Sequence, residues 1–259
     1  TQFQPSEFAK LVMIICLAVY LQRRLDKIRE LPTLLGSLLY VVVPCLLIFK
    51  QPDLGTSLVL ITIWFGMTFI AGARTFHLFG ILTFGVILFA GMWKLNVLKP
   101  FQKNRLVVFM NPEEDPKEAG YHVIQARIAV GSGQIWGKGL LKGTQAHGKF
   151  IPENHTDFIF TVAGEELGFL GAGFILICYM IIFFRAFAIA RRTSDLFGRL
   201  VCVGVIAWLA FQTFENVGMC MGLVPMTGVP LPFMSYGGSS MFATLVAFGL
   251  LQNVHVRSR

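Results

Sequence analysis

His155, Thr156 and Asp157 stand side by side immediately before an apolar run, in FIPENHTDFIFTVAGEELGFLGAGF (150–174), and Glu165 and Glu166 follow further along it. A carboxylate at a water boundary can take a proton from an attacking hydroxyl, which is general-base chemistry. A plainer role suits the same position, because an acid in the first turn of a helix is favoured by the helix dipole. The dipole weakens such a carboxylate as a base and burial strengthens it, and the residues alone leave that balance open. Glu165 and Glu166 lie about 12 Å deeper along the same helix. They cannot both face lipid, so at least one must turn inward as a hydrogen-bonding partner.

The remaining candidate groups have structural readings close at hand. Glu7 and Lys10 are three residues apart on one helical face and can neutralise each other; the alternative is that Lys10 faces a bound anion. Asp53, in QPDLGTS, suits a helix start, with Pro52 in the first turn. Glu215 is a further acid inside an apolar stretch. Gly131, Gly133, Gly137 and Gly139 either let backbone approach a phosphate or only make turns; no nucleotide fingerprint accompanies them, and neither a nucleotide cofactor nor nucleic acid is expected.

The elements that must carry these groups are membrane spans. The chain has 259 residues, 55% hydrophobic and 14% charged, with a mean hydropathy of +0.67. Seven apolar runs approach the ~20 residues that cross a bilayer, at 5–22, 32–49, 54–72, 76–93, 157–184, 199–221 and 239–256. They are continuous rather than alternating, so the fold class is all-α, a polytopic helix bundle rather than a barrel. Arg23, Arg24, Lys27, Arg29, Arg74, Arg191, Arg192, Arg199, Arg257 and Arg259 follow alternate spans and mark the cytoplasmic side. The segment 94–156 and the stretch GLVPMTGVPLPFMSYGGSS then lie outside, within a single membrane domain over 1–259.

Pro230, Pro232, Gly237 and Gly238 break regular helix at that outer surface, where Ser235 and Tyr236 either bond a substrate or cap the last span. The five cysteines all fall within spans, so neither a disulfide framework nor a cysteine metal site is indicated. The start, TQFQPSEFAK, has no Met and no signal-like pattern, and is expected to be the interior of a longer protein.

Five blocks in order, FQPSEFAK, QPDLGTS, NPEEDPKEAGYHVIQARIAVGSG, GTQAHGKFIPENHTDFIFTVAGEELG and GLVPMTGVPLPFMSYGGSS, resemble the SEDS family of shape, elongation, division and sporulation proteins. GTQ followed by FIPENHTDFIF is closer to its RodA-like elongation branch than to its division branch. The resemblance implies a ten-span bacterial inner-membrane glycosyltransferase, of which the seven spans here would be the fourth to tenth. It further implies polymerisation of lipid II into glycan strands, a class B penicillin-binding protein transpeptidase as partner, and contact with membrane lipid.

On that resemblance Asp157 is the catalytic residue, and Glu7 and Lys10 are paired polar groups beside the site. A sugar hydroxyl would lose its proton to Asp157 while attacking the anomeric carbon of a second lipid-linked disaccharide, with inversion. Glu153 is the one nearby rival carboxylate. Arg127, Lys138, Lys10 or a divalent cation such as Mg2+ would stabilise the leaving pyrophosphate, and His155, Thr156, Ser235 and Tyr236 would contact the substrate. The competing readings are a flippase for lipid-linked precursors, favoured by Glu165, Glu166 and Glu215, and a silent scaffold for a transpeptidase.

Overall fold

The computed structural model describes residues 4–50, 53–95, 99–114, 119–144 and 155–258. Glu153 and Pro52 lie outside the described residues. Among those described there is no strand, and the helices are α1 Pro5–Arg23, α2 Leu31–Lys50, α3 Leu54–Ile70, α4 Thr75–Lys94, α5 Pro100–Met110, α6 Ala119–Ser132, α7 Ile159–Arg192, α8 Leu196–Met221 and α9 Gly238–Arg257. All seven expected spans are therefore helical. Six of them are long and apolar enough to cross a membrane.

The seventh, α3, stops short because of its own end chemistry. Asp53 caps its start, accepting from Thr56 N–H at 3.0 Å and from the Thr56 hydroxyl at 2.7 Å. At the other end Gly72 takes φ 93°, its N–H bonds Phe69 C=O at 3.1 Å, and Ala73 N–H bonds Thr68 C=O at 3.1 Å. That paired return is a Schellman stop. It ends the helix at Ile70, where hydropathy alone would extend it to residue 72, and leaves 17 residues.

The chain folds as two compact units: one of residues 1–98, 183–211 and 238–259, the other of residues 99–182 and 212–237. In the first unit α1, α2 and α3 pack on one another, and α1 packs on α9. Close approach rather than hydrophobic transfer drives helix association in lipid. Gly204 illustrates it: a Cβ there would lie 2.9 Å from both an Ile14 methyl and the Met67 sulfur. Trp64 is buried and donates to the Ser37 hydroxyl at 2.8 Å, which itself bonds Leu34 C=O at 2.6 Å.

The second unit is built around an interruption in α7. Gly168 adopts φ 67°, ψ −166°, so the helical ladder breaks there. Two intrahelical bonds are thereby lost, those from Phe169 N–H to Glu165 C=O and from Leu170 N–H to Glu166 C=O. The glycine run replaces both. Lys138 N–H and Gly139 N–H donate to the Glu165 and Glu166 carbonyls, each at 3.0 Å, while Gln134 C=O and Ile135 C=O accept from Phe169 and Leu170 at 2.8 and 3.2 Å.

These glycines therefore approach backbone and not a phosphate, since the amides that would have cradled an anion are already bonded. A Cβ on Gly133 would meet Gly164 O at 2.0 Å, and one on Gly137, whose φ is 77°, would meet Glu166 O at 2.2 Å. Two substitutions separate backbone strain from this crowding. Gly72→Ala has open space and should cost about 1 kcal/mol from its positive φ alone. Gly137→Ala adds a collision with immobile backbone and should cost well above ~2 kcal/mol. Thermal unfolding of the two variants in detergent measures the difference, and equal shifts in Tm would contradict the close docking.

Candidate active site

Next to the break, Glu165 is fully buried and its carboxylate accepts from Lys138 Nζ at 2.7 Å and from the Thr144 hydroxyl at 3.1 Å. Lys138 also donates to Thr144 Oγ1 at 2.8 Å. Glu166 is buried as well, so both glutamates turn inward where at least one had to. A carboxylate placed in this interior needs a compensating cation, and Lys138 supplies it.

The segment bearing Asp157 is set by its backbone. Three consecutive carbonyls each accept a hydrogen bond from the 216–236 region: His155 C=O from Tyr236 N–H at 2.8 Å, Thr156 C=O from the Ser235 hydroxyl at 2.6 Å, and Asp157 C=O from Asn216 Nδ2 at 2.8 Å. Asn216 uses its second amide proton on Val229 C=O, also at 2.8 Å. Ser235 accepts in return from Leu231 N–H at 2.7 Å, and the Tyr179 hydroxyl donates to Pro232 C=O.

Ser235 is thus a buried latch with both hydroxyl functions engaged, rather than a side chain turned to a substrate. Tyr236 is 77% exposed, with its ring edge-on to that of His155 at 6.3 Å. Asp157 itself lies two residues ahead of the helix, which starts at Ile159 and not at 157. It is half-buried, and its Oδ2 comes within 3.3 Å of the place a Cβ on Gly228 would occupy. Gly228 has φ 76°, so turn geometry favours glycine there, and a Cβ would press on the carboxylate.

The cations divide by what they face. Lys10 is fully buried, ion-paired to Glu7 at 2.7 Å, and its ammonium lies 4.7 Å from the centre of the Trp208 ring; this pair belongs to the first unit, Asp157 to the second. Lys138 is compensated by Glu165. Arg127 is exposed and donates to a neutral group, Gly222 C=O at 3.0 Å, at the C-terminal end of α8, so its charge is not cancelled by that contact. Arg105 holds the same connection by Thr227 C=O at 3.2 Å. Among the described residues no three His, Cys, Asp or Glu side chains converge on a metal-sized site.

Sequence reasoning missed Asn216, Gly228 and Arg105. Asn216 did carry a signal, as an amide next to Glu215 within an apolar span. Gly228 and Arg105 carried none, because one is a glycine among turn residues and the other a basic residue in a basic loop.

The family model FTSW_RODA_SPOVE, described as cell cycle protein, matches residues 1–259. Peptidoglycan glycosyltransferase MrdB of Escherichia coli K12 is 37% identical over 261 residues, covering 100% of this chain and 69% of MrdB. Stage V sporulation protein E of Bacillus subtilis is 40% identical over 257 residues, covering 99% of this chain and 69% of that protein. A solved structure on the coordination of polymerization and crosslinking by a peptidoglycan synthase complex superposes with a TM-score of 0.79 at 32% identity, over 100% of this chain and 71% of the other. Thermus thermophilus RodA superposes with a TM-score of 0.61 at 28% identity, over 100% and 67%.

The double role of Asn216 can be checked directly. Asn216→Leu removes the amide donor from the Val229 carbonyl and leaves the Asp157 carbonyl only the weak Cys220 thiol, at about 1–3 kcal/mol each. Hydrogen exchange should then speed up in peptides covering 155–162 and 229–236, while peptides of α1 and α3 keep their protection. Unchanged exchange in the first two stretches would mean that Asn216 does not hold them.

Proposed function

The chain belongs to the FtsW, RodA and SpoVE family of cell cycle proteins, multi-pass proteins of the bacterial cytoplasmic membrane, and from this we propose that it is a peptidoglycan glycosyltransferase polymerising lipid II, with Asp157 as general base. The observation that carries the assignment of Asp157 is the clamp on its backbone: three successive carbonyls bonded by Tyr236, Ser235 and Asn216, and a carboxylate edge against Gly228. A catalytic carboxylate has to be held in one place before substrate arrives, and hydrogen bonds to the main chain around it accomplish that.

In the proposed reaction a sugar hydroxyl gives its proton to Asp157 as its oxygen bonds to the anomeric carbon of a second lipid-linked disaccharide. The bond from that carbon to the pyrophosphate oxygen breaks, and the lipid pyrophosphate leaves with the electron pair. Direct displacement inverts the anomeric centre. Arg127, charged and bonded to a neutral carbonyl, is the cation suited to the departing pyrophosphate; Lys138 and Lys10 are already paired. His155, Thr156 and Tyr236 line the approach to Asp157 as substrate contacts. A divalent cation such as Mg2+ would supply further charge neutralisation to the pyrophosphate.

Work in cell elongation is part of the proposal, supported by the GTQ and FIPENHTDFIF blocks. A class B penicillin-binding protein transpeptidase is the proposed partner; the structural neighbour described as a peptidoglycan synthase complex supports it.

Two measurements test the reading on the full-length protein co-purified with its transpeptidase. Asp157→Asn, which keeps shape and loses the basic oxygen, should lower glycan formation from lipid II by at least ~100-fold with unfolding temperature unchanged; normal polymerisation by this variant would sink the general-base role and restore the flippase and scaffold alternatives. Arg127→Gln should reduce turnover by roughly tenfold or more with little loss of stability. Lys138→Gln should instead cost about 3–5 kcal/mol of stability by stranding the Glu165 carboxylate, and the reverse pattern would exchange the two assignments.

A further inference from the structure

Within the first unit, the end of α7 and the end of α9 enclose a cavity of about 180 Å3 lined by Arg185, Ala188, Ile189, Arg192, Gln252 and His255. Arg185 and Arg192 are two helical turns apart on one face, and no acid lines the space between them. Neither guanidinium has a hydrogen-bond or ion-pair partner among the described residues.

Arg185 is the group that needs explaining. It stands about 10 Å inward from Arg192, in the run MIIFFRAFAIARR, and its helix neighbours Ile181, Phe184 and Phe187 are 56%, 66% and 50% exposed, as lipid-facing side chains are. An unpaired charge at that depth is costly, and such residues mark a partner or a site. The cavity lies near the helix ends that carry Arg191, Arg192 and Arg257, the cytoplasmic side by the distribution of basic residues.

We infer that this cavity binds the phosphodiester headgroup of an anionic phospholipid from the inner leaflet. Arg185 and Arg192 provide bidentate donors to the phosphate oxygens. Gln252 and His255 close the opposite wall, and the acyl chains lie along Phe184 and Phe187. Basic pockets between spanning helices at the cytoplasmic surface suit this class of ligand, and the apolar flank favours a lipid over a soluble anion. The site is separate from the chemistry proposed for Asp157, since it is made of different residues, and it stands or falls independently of that reading.

Native mass spectrometry of the detergent-purified full-length protein tests it with phosphatidylglycerol and phosphatidylethanolamine as probes. The wild type should retain phosphatidylglycerol in preference to phosphatidylethanolamine. The pair Arg185→Gln and Arg192→Gln should weaken that retention by roughly tenfold or more, and the pair Arg185→Lys and Arg192→Lys should retain an intermediate affinity. Equal retention of both lipids by the wild type, or no change in the glutamine pair, overturns the inference and leaves Arg185 as a side chain that reaches out to interfacial water. Millimolar inorganic phosphate is the second arm: displacement of the lipid by phosphate alone would assign the cavity to a soluble anion and overturn the lipid assignment. Should the glutamine pair fail to fold, the lysine pair, the wild-type preference and the phosphate competition still decide.

Discussion

A backbone N–H or C=O inside a membrane has no water to turn to, so each irregular piece of main chain must be paired within the protein. The break at Gly168 obeys this rule in detail. Two intrahelical bonds are given up, and the four groups released are taken up by Gln134, Ile135, Lys138 and Gly139. The glycines of that run exist to let one backbone lie against another, and Gly168 with φ 67° is the matching concession on the helix side.

The connection from Gly222 to Gly237 obeys the same rule by other means. Gly222 closes α8 with its N–H on Met219 C=O, and Leu223 N–H reaches Gly218 C=O, the same stop that ends α3. Beyond it, side chains replace helical partners: Arg105 holds Thr227, Asn216 holds Val229, Tyr179 holds Pro232 and Ser235 holds Leu231. Held in this way, the connection bonds the carbonyls of His155 and Thr156 through Tyr236 and Ser235, while Asn216 of α8 bonds both Asp157 C=O and the connection itself. Placement of Asp157 is therefore a consequence of backbone accounting several residues away.

Electrostatics follows from the same packing. Burying Glu165 commits Lys138, and burying Lys10 commits Glu7, so two of the basic residues that could serve an anionic leaving group are spent on internal balance. Among the described residues Arg127 bonds a neutral carbonyl and keeps its charge. A count of basic residues would treat these lysines and arginines alike; burial of their partners is what separates them.

What the sequence determined by itself was whatever depends on composition along the chain. Apolar runs located the seven helices α1–α4 and α7–α9, because bilayer crossing is a one-dimensional requirement of length and hydropathy, and Asp53 was legible as a cap because capping is local. Asp157 stood out because an acid beside an apolar run is uncommon. What only the tertiary structure decided was which polar groups meet across distance: that Lys138 serves Glu165, that Ser235 and Asn216 hold the backbone around Asp157, that Gly228 leaves room for its carboxylate, and that the glycine run docks on a broken helix rather than on phosphate. Those pairings join residues from 27 to 79 positions apart, and no local propensity or periodicity encodes a partner at that separation; only the packed chain brings the two ends of each bond together.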